Sequence, residues 1–228
     1  MIPDPELNIW EHSRALLELT RGRALGLAPE MDASAQAAEI LSSIDFAAGT
    51  PCLDGGCAAG HFIWSLKKRK IELDYRGLDY SPSHISLGKE IFASLKFDPE
   101  RLILESLDDL KGGDFPIAVL INVLSFNPDY RRILGRLIEN GAETIVLRDN
   151  FGSATRVRWE TDGYLDPGYN HLKGYWNRWG KGEMEEFLGD LGFKALWMED
   201  RRTRGEVEMV VGKPYTWGFC LARRVRKI

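Results

Sequence analysis

From residue 50 to residue 150, apolar positions follow two alternating rhythms. Short apolar runs that suit β-strands, such as "LDYRGLDYS" and "AETIVLRDN", alternate with stretches in which apolar residues recur every three or four positions, as on one face of a helix. The run "FPIAVLINVLSF" is apolar throughout, which is typical of a central parallel strand buried on both faces. The alternation predicts an α/β fold, with a mostly parallel sheet covered by helices on both faces.

The first 48 residues lack strand-type runs and predict two helices. The first covers "PELNIWEHSRALLELTRGRALG" and ends at Gly22 or Gly26, and the second covers "DASAQAAEILSSI" with Asp32 or Ser34 as its N-cap. We interpret residues 1–48 as a helical extension that forms a lid.

Residues 49–228 predict one domain with a long irregular insertion. The insertion, residues 151–180, follows the fifth predicted strand at the ligand-bearing edge of the sheet, and one helix and two strands follow it. Its aromatic residues are Phe151, Trp159, Tyr164, Tyr169, Tyr175, Trp176 and Trp179. Because long loops of this kind commonly bind ligands, we interpret the insertion as a substrate-side wall. The alternative is a satellite cluster that packs the N-terminal helices.

Net charge, apolar run length and cysteine content restrict the classes of partner and the location that we expect for the protein. A net charge of −4 offers no general attraction for phosphates, so a nucleic-acid partner is not expected. No apolar run approaches the roughly 18 residues of a membrane span, and the polar start "MIPDPELNIW" is unlike a signal peptide. Three cysteines without a CxxC spacing indicate reduced thiols and a cytoplasmic protein. The oligomeric state is left open.

Residues 53–62, "LDGGCAAGHF", form a glycine-rich turn between the first strand and the next helix. Its small residues would let a ligand lie against the main chain, and the helix would present free N–H groups to that ligand. Asp79 stands 19 residues after Gly60 at the end of the second strand, where a carboxylate can accept hydrogen bonds from ribose hydroxyls. These features together predict a nucleoside site. The alternative is a close-packed turn, with Asp79 as a helix cap.

Two common nucleotide motifs do not fit this turn. In "GGCAAG", Ala58 stands where the dinucleotide fingerprint would have a further glycine. No Walker lysine pattern is present, so an ATP-binding P-loop is not supported.

The turn and its surroundings resemble the class I S-adenosylmethionine-dependent methyltransferases. The family's first motif reads roughly Leu-Asp-x-Gly-Cys-Gly-x-Gly, and this chain matches it at five positions and departs from it at Ala58; the matching residues are Leu53, Asp54, Gly56, Cys57 and Gly60. "GLDYSPSHI" resembles the second signature, and "VLINVLSF" resembles the fourth-strand motif. The resemblance covers residues 48–150 with the late helix and two strands, and it implies a Rossmann-like seven-stranded sheet and S-adenosylmethionine as cofactor.

The resemblance also implies cofactor-binding roles. The turn would hold the methionine and ribose, Asp79 would bind the ribose hydroxyls, and Tyr80 would flank the adenine. Ser106 stands where the family often has an acidic residue that binds the adenine amine. The full cofactor-binding set is Asp54, Gly55, Gly56, Cys57, Ala58, Gly60, Asp79, Tyr80, Ser106, Leu107 and Asn122.

Methyl transfer requires little from the protein beyond alignment of the acceptor with the methyl group. The cofactor carries the reactivity, positioning supplies much of the rate, and a general base is optional. The polar candidates for catalysis are Asn122, Asp149, Asn150, His171 and Tyr175. Arg21 and Arg23 of the extension would attract an anionic group on the substrate, or else lie on a solvated helix face. No cluster of metal ligands stands out.

Three function classes remain open. The leading one is methylation of a small molecule on oxygen, nitrogen or carbon, because the chain is acidic and shows no target-recognition domain. The second is methylation of RNA or protein, for which "NVLSFNPD" lacks an Asn-Pro-Pro-Tyr-type motif. The third is a non-methyl use of the cofactor, either cyclisation that releases methylthioadenosine or aminocarboxypropyl transfer, which the altered turn and the aromatic insertion keep open.

Overall fold

A nine-stranded mixed sheet forms the centre of the computed structural model, which describes residues 4–225. The strands of this sheet are β1 Thr50–Gly55, β2 Leu73–Asp79, β3 Leu102–Leu104, β4 Ile117–Ile121, β5 Thr144–Gly152, β8 Trp179–Gly180, β9 Phe193–Glu199, β10 Val207–Val210 and β11 Lys213–Arg224. Two further strands, β6 Trp159–Thr161 and β7 Lys173–Tyr175, form a separate antiparallel hairpin. The helices are α1 Arg14–Ala24, α2 Asp32–Ser42, α3 Phe62–Lys68, α4 Pro82–Ser94, α5 Tyr130–Glu139 and α6 Lys181–Asp190.

Seven strands make up the main body of the sheet, in the order β3, β2, β1, β4, β5, β11, β9. The first five run parallel, and β11 is antiparallel to both β5 and β9. The α/β prediction is therefore confirmed, but the sheet has nine strands rather than seven. The two additional strands are short: β8 pairs in parallel with the last two residues of β5, and β10 pairs with residues 213–216.

Both faces of the sheet are buried. Successive residues of its central strands point to opposite sides and pack in different core clusters. Leu53 of β1 packs in one core cluster, and Cys52 packs in the cluster on the other face. In β4, Ala118 and Leu120 belong to the first cluster, and Val119 belongs to the second. This alternation explains why the β4 sequence is apolar at every position.

The helices begin close to the predicted positions, with one correction. Ser81 caps α4 by accepting a hydrogen bond from the His84 backbone, and Pro82 is the first helical residue, as expected. In α2 the N-cap is Met31, which makes no side-chain cap bond. Asp32 therefore lies inside the helix, and the prediction of Asp32 or Ser34 as N-cap is wrong.

The predicted first helix is also shorter than expected. Residues 5–12 form two 3₁₀ turns, and α1 begins only at Arg14. The side chains of Asn8 and Ser13 cause these breaks, since each caps a new turn by accepting a backbone N–H bond. At the other end, Gly22 lies within α1, and Gly26 follows the helix with a φ of +71°.

Residues 8–13, which we call the N-terminal strap, pack against the insertion. The His12 ring stacks on Tyr169 at a centroid distance of 3.6 Å. Asp166 donates its backbone N–H to the His12 carbonyl and accepts the Arg14 N–H on its carboxylate, at 2.8 and 3.0 Å. Ile9 packs with two leucines of the insertion. The strap and the insertion therefore contact each other directly, and a domain boundary at residue 48 remains a prediction.

Candidate active site

The candidate site lies where the carboxyl ends of β1, β2 and β4 meet. Strand β1 pairs with β2 on one side and β4 on the other, so the order of strands reverses there. In open α/β sheets, ligands bind in the crevice beyond such a reversal. The register places Gly55 opposite Leu78 and Leu120, which brings the glycine turn and Asp79 to one edge of the sheet.

The glycine turn uses left-handed backbone at three positions. Gly56, Ala58 and Gly60 have φ values of +71°, +49° and +79°. The N–H groups of Gly56 and Cys57 both donate to the Leu78 carbonyl, which ties the turn to β2. A left-handed conformation costs a non-glycine residue about 1–2 kcal/mol, so glycine is the easier residue at position 58. Ala58 is therefore held in a strained conformation.

Close packing explains two glycines of the turn. A Cβ atom on Gly55 would lie 2.5 Å from a leucine of β4, and one on Gly60 would lie 2.9 Å from Phe92. Both glycines therefore fit the close-packed alternative that the sequence left open. Gly56 differs because it is exposed, although a Cβ there would lie 2.5 Å from Val123. Its exposed backbone is the part of the turn that a ligand can approach.

Asp79 connects the glycine turn to α4. One carboxylate oxygen accepts the Ala58 N–H at 2.8 Å, and the other accepts the Ser81 N–H at 2.9 Å. Burial raises the pKa of Asp79, and the two N–H donors oppose that shift. Because each oxygen can accept more than one hydrogen bond, Asp79 keeps capacity for further donors such as hydroxyls. Ser81, whose N–H Asp79 accepts, is the N-cap of α4, so Asp79 is not itself the helix cap of the alternative.

Asp54 and Cys57 lie inside the protein beneath the turn. The Asp54 carboxylate accepts a hydrogen bond from the Tyr75 hydroxyl at 2.8 Å, and burial raises its pKa to about 7. The Cys57 thiol is buried, which raises its pKa well above the usual value. In this structure Asp54 supports the turn from below.

Glu11 of the strap reaches the start of α4, a contact that the sequence does not predict. The Ser81 hydroxyl donates to one Glu11 oxygen, and the Ser83 N–H donates to the other. Ser81 also contacts His84 Nδ1 at 2.8 Å. Tyr80 is half-buried at the same place, and burial raises the pKa of its phenol. Seventy residues separate Glu11 from Ser81, so no local pattern signals the pairing.

The segment after β3 is positioned by a short 3₁₀ turn, Leu107–Asp109. Ser106 caps this turn, since its hydroxyl accepts the Asp108 N–H at 3.3 Å. Leu107 is buried and lies behind Gly55. The Asp108 carboxylate pairs with Arg132 at 3.1 Å. An adenine contact by Ser106 and Leu107 stays a prediction.

Asn122 follows β4 in a left-handed conformation and is held by a buried ion pair. Its side-chain oxygen accepts a hydrogen bond from Arg148, whose Nε donates to Asp200 at 2.7 Å. The Arg148 and Asp200 side chains are 3% and 2% exposed. The Arg148 guanidinium also lies 4.0 Å from the Trp217 ring centroid. The sequence does not reveal this arrangement, because Asp200 is 52 residues from Arg148.

Asp149 and Asn150 are committed to the main chain. The two Asp149 oxygens accept the N–H groups of Leu124, Ser125 and Asn150, at 2.7, 3.1 and 2.7 Å. The Asn150 side chain donates to the Asn177 carbonyl and accepts the Thr216 N–H. These bonds favour a positioning role for both residues over direct catalysis.

The aromatic insertion divides between core and surface. Phe151 and Trp179 pack in the main core. Tyr175 is half-buried, with its ring 4.5 Å from that of the exposed Trp159, and His171 is exposed in the loop before β7. The structure does not bring His171 to the glycine turn by any contact among residues 4–225.

A row of aromatic rings joins the strap, the end of β4 and the insertion. Trp10 meets Phe126 edge to face at 4.8 Å, and Phe126 meets Trp176 at 5.4 Å. Trp176 packs in turn against Tyr215 and Trp217. This row therefore lies beside the loop after β4 on the predicted substrate side.

Three further findings concern the described residues as a whole. No helix within residues 4–225 is both long and apolar enough to cross a membrane. In the same part of the chain, no three histidine, cysteine, aspartate or glutamate side chains are grouped so that they could hold a metal ion. The three cysteines are buried and free.

Comparison with solved structures shows the same fold in methyltransferases. Magnesium protoporphyrin IX methyltransferase from Synechocystis PCC 6803, solved with bound S-adenosylmethionine, matches with a TM-score of 0.60 and 15% identity over 98% of each chain. The glycopeptide N-methyltransferase MtfA, also solved with S-adenosylmethionine, gives 0.58 and 13% over 85% of this chain and 95% of its own. An S-adenosylmethionine-dependent methyltransferase from Clostridium acetobutylicum ATCC 824 gives 0.61 and 11% over 92% and 98%.

Sequence comparison agrees with this fold. No curated protein matches the chain significantly. Residues 53–140 match the family model described as a methyltransferase domain, and this range contains the glycine turn, Asp79 and Asn122. The resemblance found in the sequence motifs is thereby confirmed, together with the cofactor that it implies. Residues 53–140 therefore match a methyltransferase domain, and over this range the comparison agrees with the resemblance to the class I S-adenosylmethionine-dependent methyltransferases.

Proposed function

We propose that this enzyme transfers the methyl group of S-adenosylmethionine to a small-molecule acceptor. The observation that carries the proposal is the junction of Asp79 with the glycine turn. There, a carboxylate with spare acceptor capacity lies 2.8 Å from the Ala58 backbone, next to the exposed main chain of Gly56. This junction fits a nucleoside that presents ribose hydroxyls to a carboxylate and lies against a main chain without side chains.

The residues that would hold the cofactor are Asp79, Tyr80 and the backbone of the turn. When bound, the sulfonium supplies an electrophilic methyl group for in-line displacement. The protein would fix the direction of approach, since positioning alone can supply much of the rate. We assign Asn122 to this edge and Asp149 to holding the loop after β4, while His171 and Tyr175 remain candidates for the acceptor side.

Enclosure of the acceptor side supports a small substrate. The strap, the loop after β4 and the insertion meet through Trp10, Phe126 and Trp176. Such an aromatic wall suits a compact, partly apolar acceptor, and the net charge of −4 gives no support to an RNA substrate. The buried free thiols support the cytoplasmic location that the sequence predicts.

The cofactor assignment is tested with Asp79→Asn, which removes the negative charge and keeps one carbonyl acceptor. We expect its affinity for S-adenosylmethionine to fall at least tenfold in isothermal titration calorimetry, which is about 1.4 kcal/mol. Asp74→Asn is the matched control, because Asp74 lies on the same strand but pairs with Arg101. Equal affinity for all three proteins would contradict the assignment.

Product analysis separates methyl transfer from the alternatives. The enzyme is incubated with methyl-labelled cofactor and a cell extract divided by ultrafiltration. We expect S-adenosylhomocysteine as product, and label in the small-molecule fraction. Label retained with RNA or protein would indicate the second function class, and methylthioadenosine would indicate a non-methyl use of the cofactor.

A further inference from the structure

A cavity of about 490 Å³ lies between the end of α1, the start of α2 and one face of α3, and His61 is its one lining residue from the glycine turn. Its volume falls within the roughly 300–1,000 Å³ of small-molecule sites. Asp54, Gly56, Ala58 and Asp79 are not among its lining residues. The cavity is therefore distinct from the cofactor site described under the proposed function.

Two polar atoms of the cavity lining have no hydrogen-bond partner among residues 4–225. They are the Ser34 hydroxyl and His61 Nδ1. Ser34 is only 1% exposed, and an unpaired buried polar group costs about 1–3 kcal/mol. A ligand with hydrogen-bonding oxygens in the cavity would satisfy both atoms.

The cavity also holds a cation without a counter-charge. Arg23 is half-buried at its rim, and within residues 4–225 no carboxylate pairs with it. Burial lowers the pKa of Arg23, with no opposing contribution from an acid. The one acidic residue of the lining, Glu30, is already bound by Lys68 and Arg69, at 2.8 and 2.5 Å. The local charge therefore favours an anion.

Apolar side chains complete the lining. Leu25, Pro29, Met31 and Trp64 are among the lining residues. Trp64 is fixed because its Nε1 donates to the Ala24 carbonyl at 2.8 Å. A rigid apolar wall beside a single guanidinium suits a compact molecule with an apolar body and one anionic group.

We propose that this cavity is a second binding site, separate from the cofactor site, for a small apolar carboxylate. Arg23 binds the carboxylate, and the guanidinium fork matches its two oxygens. Ser34 and His61 Nδ1 donate to the same group or to a neighbouring oxygen. Trp64 and Met31 contact the apolar body.

The probe pair naphthalene-2-carboxylate and naphthalene-2-carboxamide tests the proposal by calorimetry. We expect the carboxylate to bind at least tenfold more tightly than the uncharged amide. Arg23→Gln is expected to weaken carboxylate binding at least tenfold, and Ser34→Ala to weaken it severalfold. Arg21→Gln is the matched control: Arg21 lies on the same helix, is 44% exposed and pairs with Glu18, so its loss leaves binding unchanged.

A second arm separates this cavity from the cofactor site. In Asp79→Asn, carboxylate binding is expected to persist even where cofactor binding is lost, and added S-adenosylmethionine is not expected to displace the probe. Displacement by the cofactor, or joint loss in Asp79→Asn, would show that the cavity belongs to the cofactor site. Absence of probe binding, equal affinity for the two probes, or full binding by Arg23→Gln would overturn the proposal as well.

Discussion

Gly56 and Ala58 adopt left-handed backbone two residues apart in the same turn, yet only one of them is glycine. At Gly56, the conformation and the nearness of Val123 both exclude a side chain. At position 58 the strain of the alanine is opposed by one hydrogen bond, from its N–H to Asp79. The turn therefore depends on Asp79 for its shape, and Asp79 is also the expected ribose-binding residue.

Gly56→Ala is expected to destabilise the protein by about 2–4 kcal/mol, because left-handed strain and overpacking add. The added Cβ would lie 2.5 Å from Val123 Cγ2, so Val123→Ala in the same background should restore part of the loss but not the strain. Urea unfolding measures both. Gly135→Ala is the control, since that glycine lies within α5 with open space around it, and it is expected to stabilise the helix by about 0.5–1 kcal/mol. Equal stability of Gly56→Ala and the natural protein would contradict this account.

Residues with short-range roles in the candidate site could be predicted from the sequence. The glycine turn and the Ser81 cap each act over a few positions, and Asp79 stands at the end of a predicted strand, so local patterns reveal them. Two of the N–H partners of Asp149 could not be predicted, because Leu124 and Ser125 reach it only when the loop after β4 folds back. From the sequence, the polar side chain of Asp149 is a candidate for catalysis. Only the structure shows that this side chain is hydrogen-bonded to the main chain.

At the scale of elements, the Arg148–Asp200 ion pair joins β5 to the end of β9 and supports Asn122 after β4. Burial raises the pKa of Asp200, but the Arg148 hydrogen bond and charge outweigh it, so the pKa lies below its usual value. A lowered native pKa adds stability that is present above the unfolded-state pKa and is lost as pH falls through the native one.

Asp200→Asn is expected to cost about 3–5 kcal/mol at neutral pH, because it leaves the Arg148 cation buried and uncompensated. The difference in free energy of unfolding between this variant and the natural protein should shrink as pH falls through the acid range. Urea unfolding at a series of pH values measures it. Glu139→Gln is the control, because Glu139 pairs with Arg136 at the surface and is expected to change stability by less than about 1 kcal/mol. A pH-independent loss would argue against the ion pair as the cause.

The major helices and strands could be predicted because the periodic spacing of their apolar residues extends over many positions. Strand β10 could not, since it covers only Val207–Val210 and its valine and methionine side chains include exposed ones, Val207 and Met209. The division of the first helix was missed for another reason. Asn8 and Ser13 are compatible with helical periodicity, and their role as caps depends on the chain turning towards the insertion.

At the scale of the whole molecule, the strap links the two sides of the candidate site. Glu11 contacts Ser81 beside the cofactor residues, and His12 stacks on Tyr169 of the insertion. Adjacent residues of the strap therefore bridge the predicted cofactor side and the predicted substrate side. A disturbance of the insertion should reach the strap through this stack.

Tyr169→Ala is expected to increase hydrogen exchange in residues 8–13 several-fold, because the strap loses its stacking partner. Hydrogen exchange is measured in the strap, although the substitution is in the insertion, and mass spectrometry resolves the two segments. Tyr164→Ala is the control, since Tyr164 belongs to the same insertion but is 66% exposed. Unchanged hydrogen exchange in the strap of the Tyr169→Ala variant would show that the stability of the strap does not depend on this ring stack.

The position of β11 has a consequence for the order in which the molecule can assemble during synthesis. Strand β9 leaves the ribosome before β11 but joins the sheet only through it, because β11 lies between β5 and β9. Until Gly218–Arg223 has emerged, the buried edge of β5, Thr144–Asp149, has no partner on that side. An apolar edge without a partner invites pairing with other chains. The nascent chain therefore carries this unpaired edge from the completion of β5 until β11 has emerged, after α6, β9 and β10.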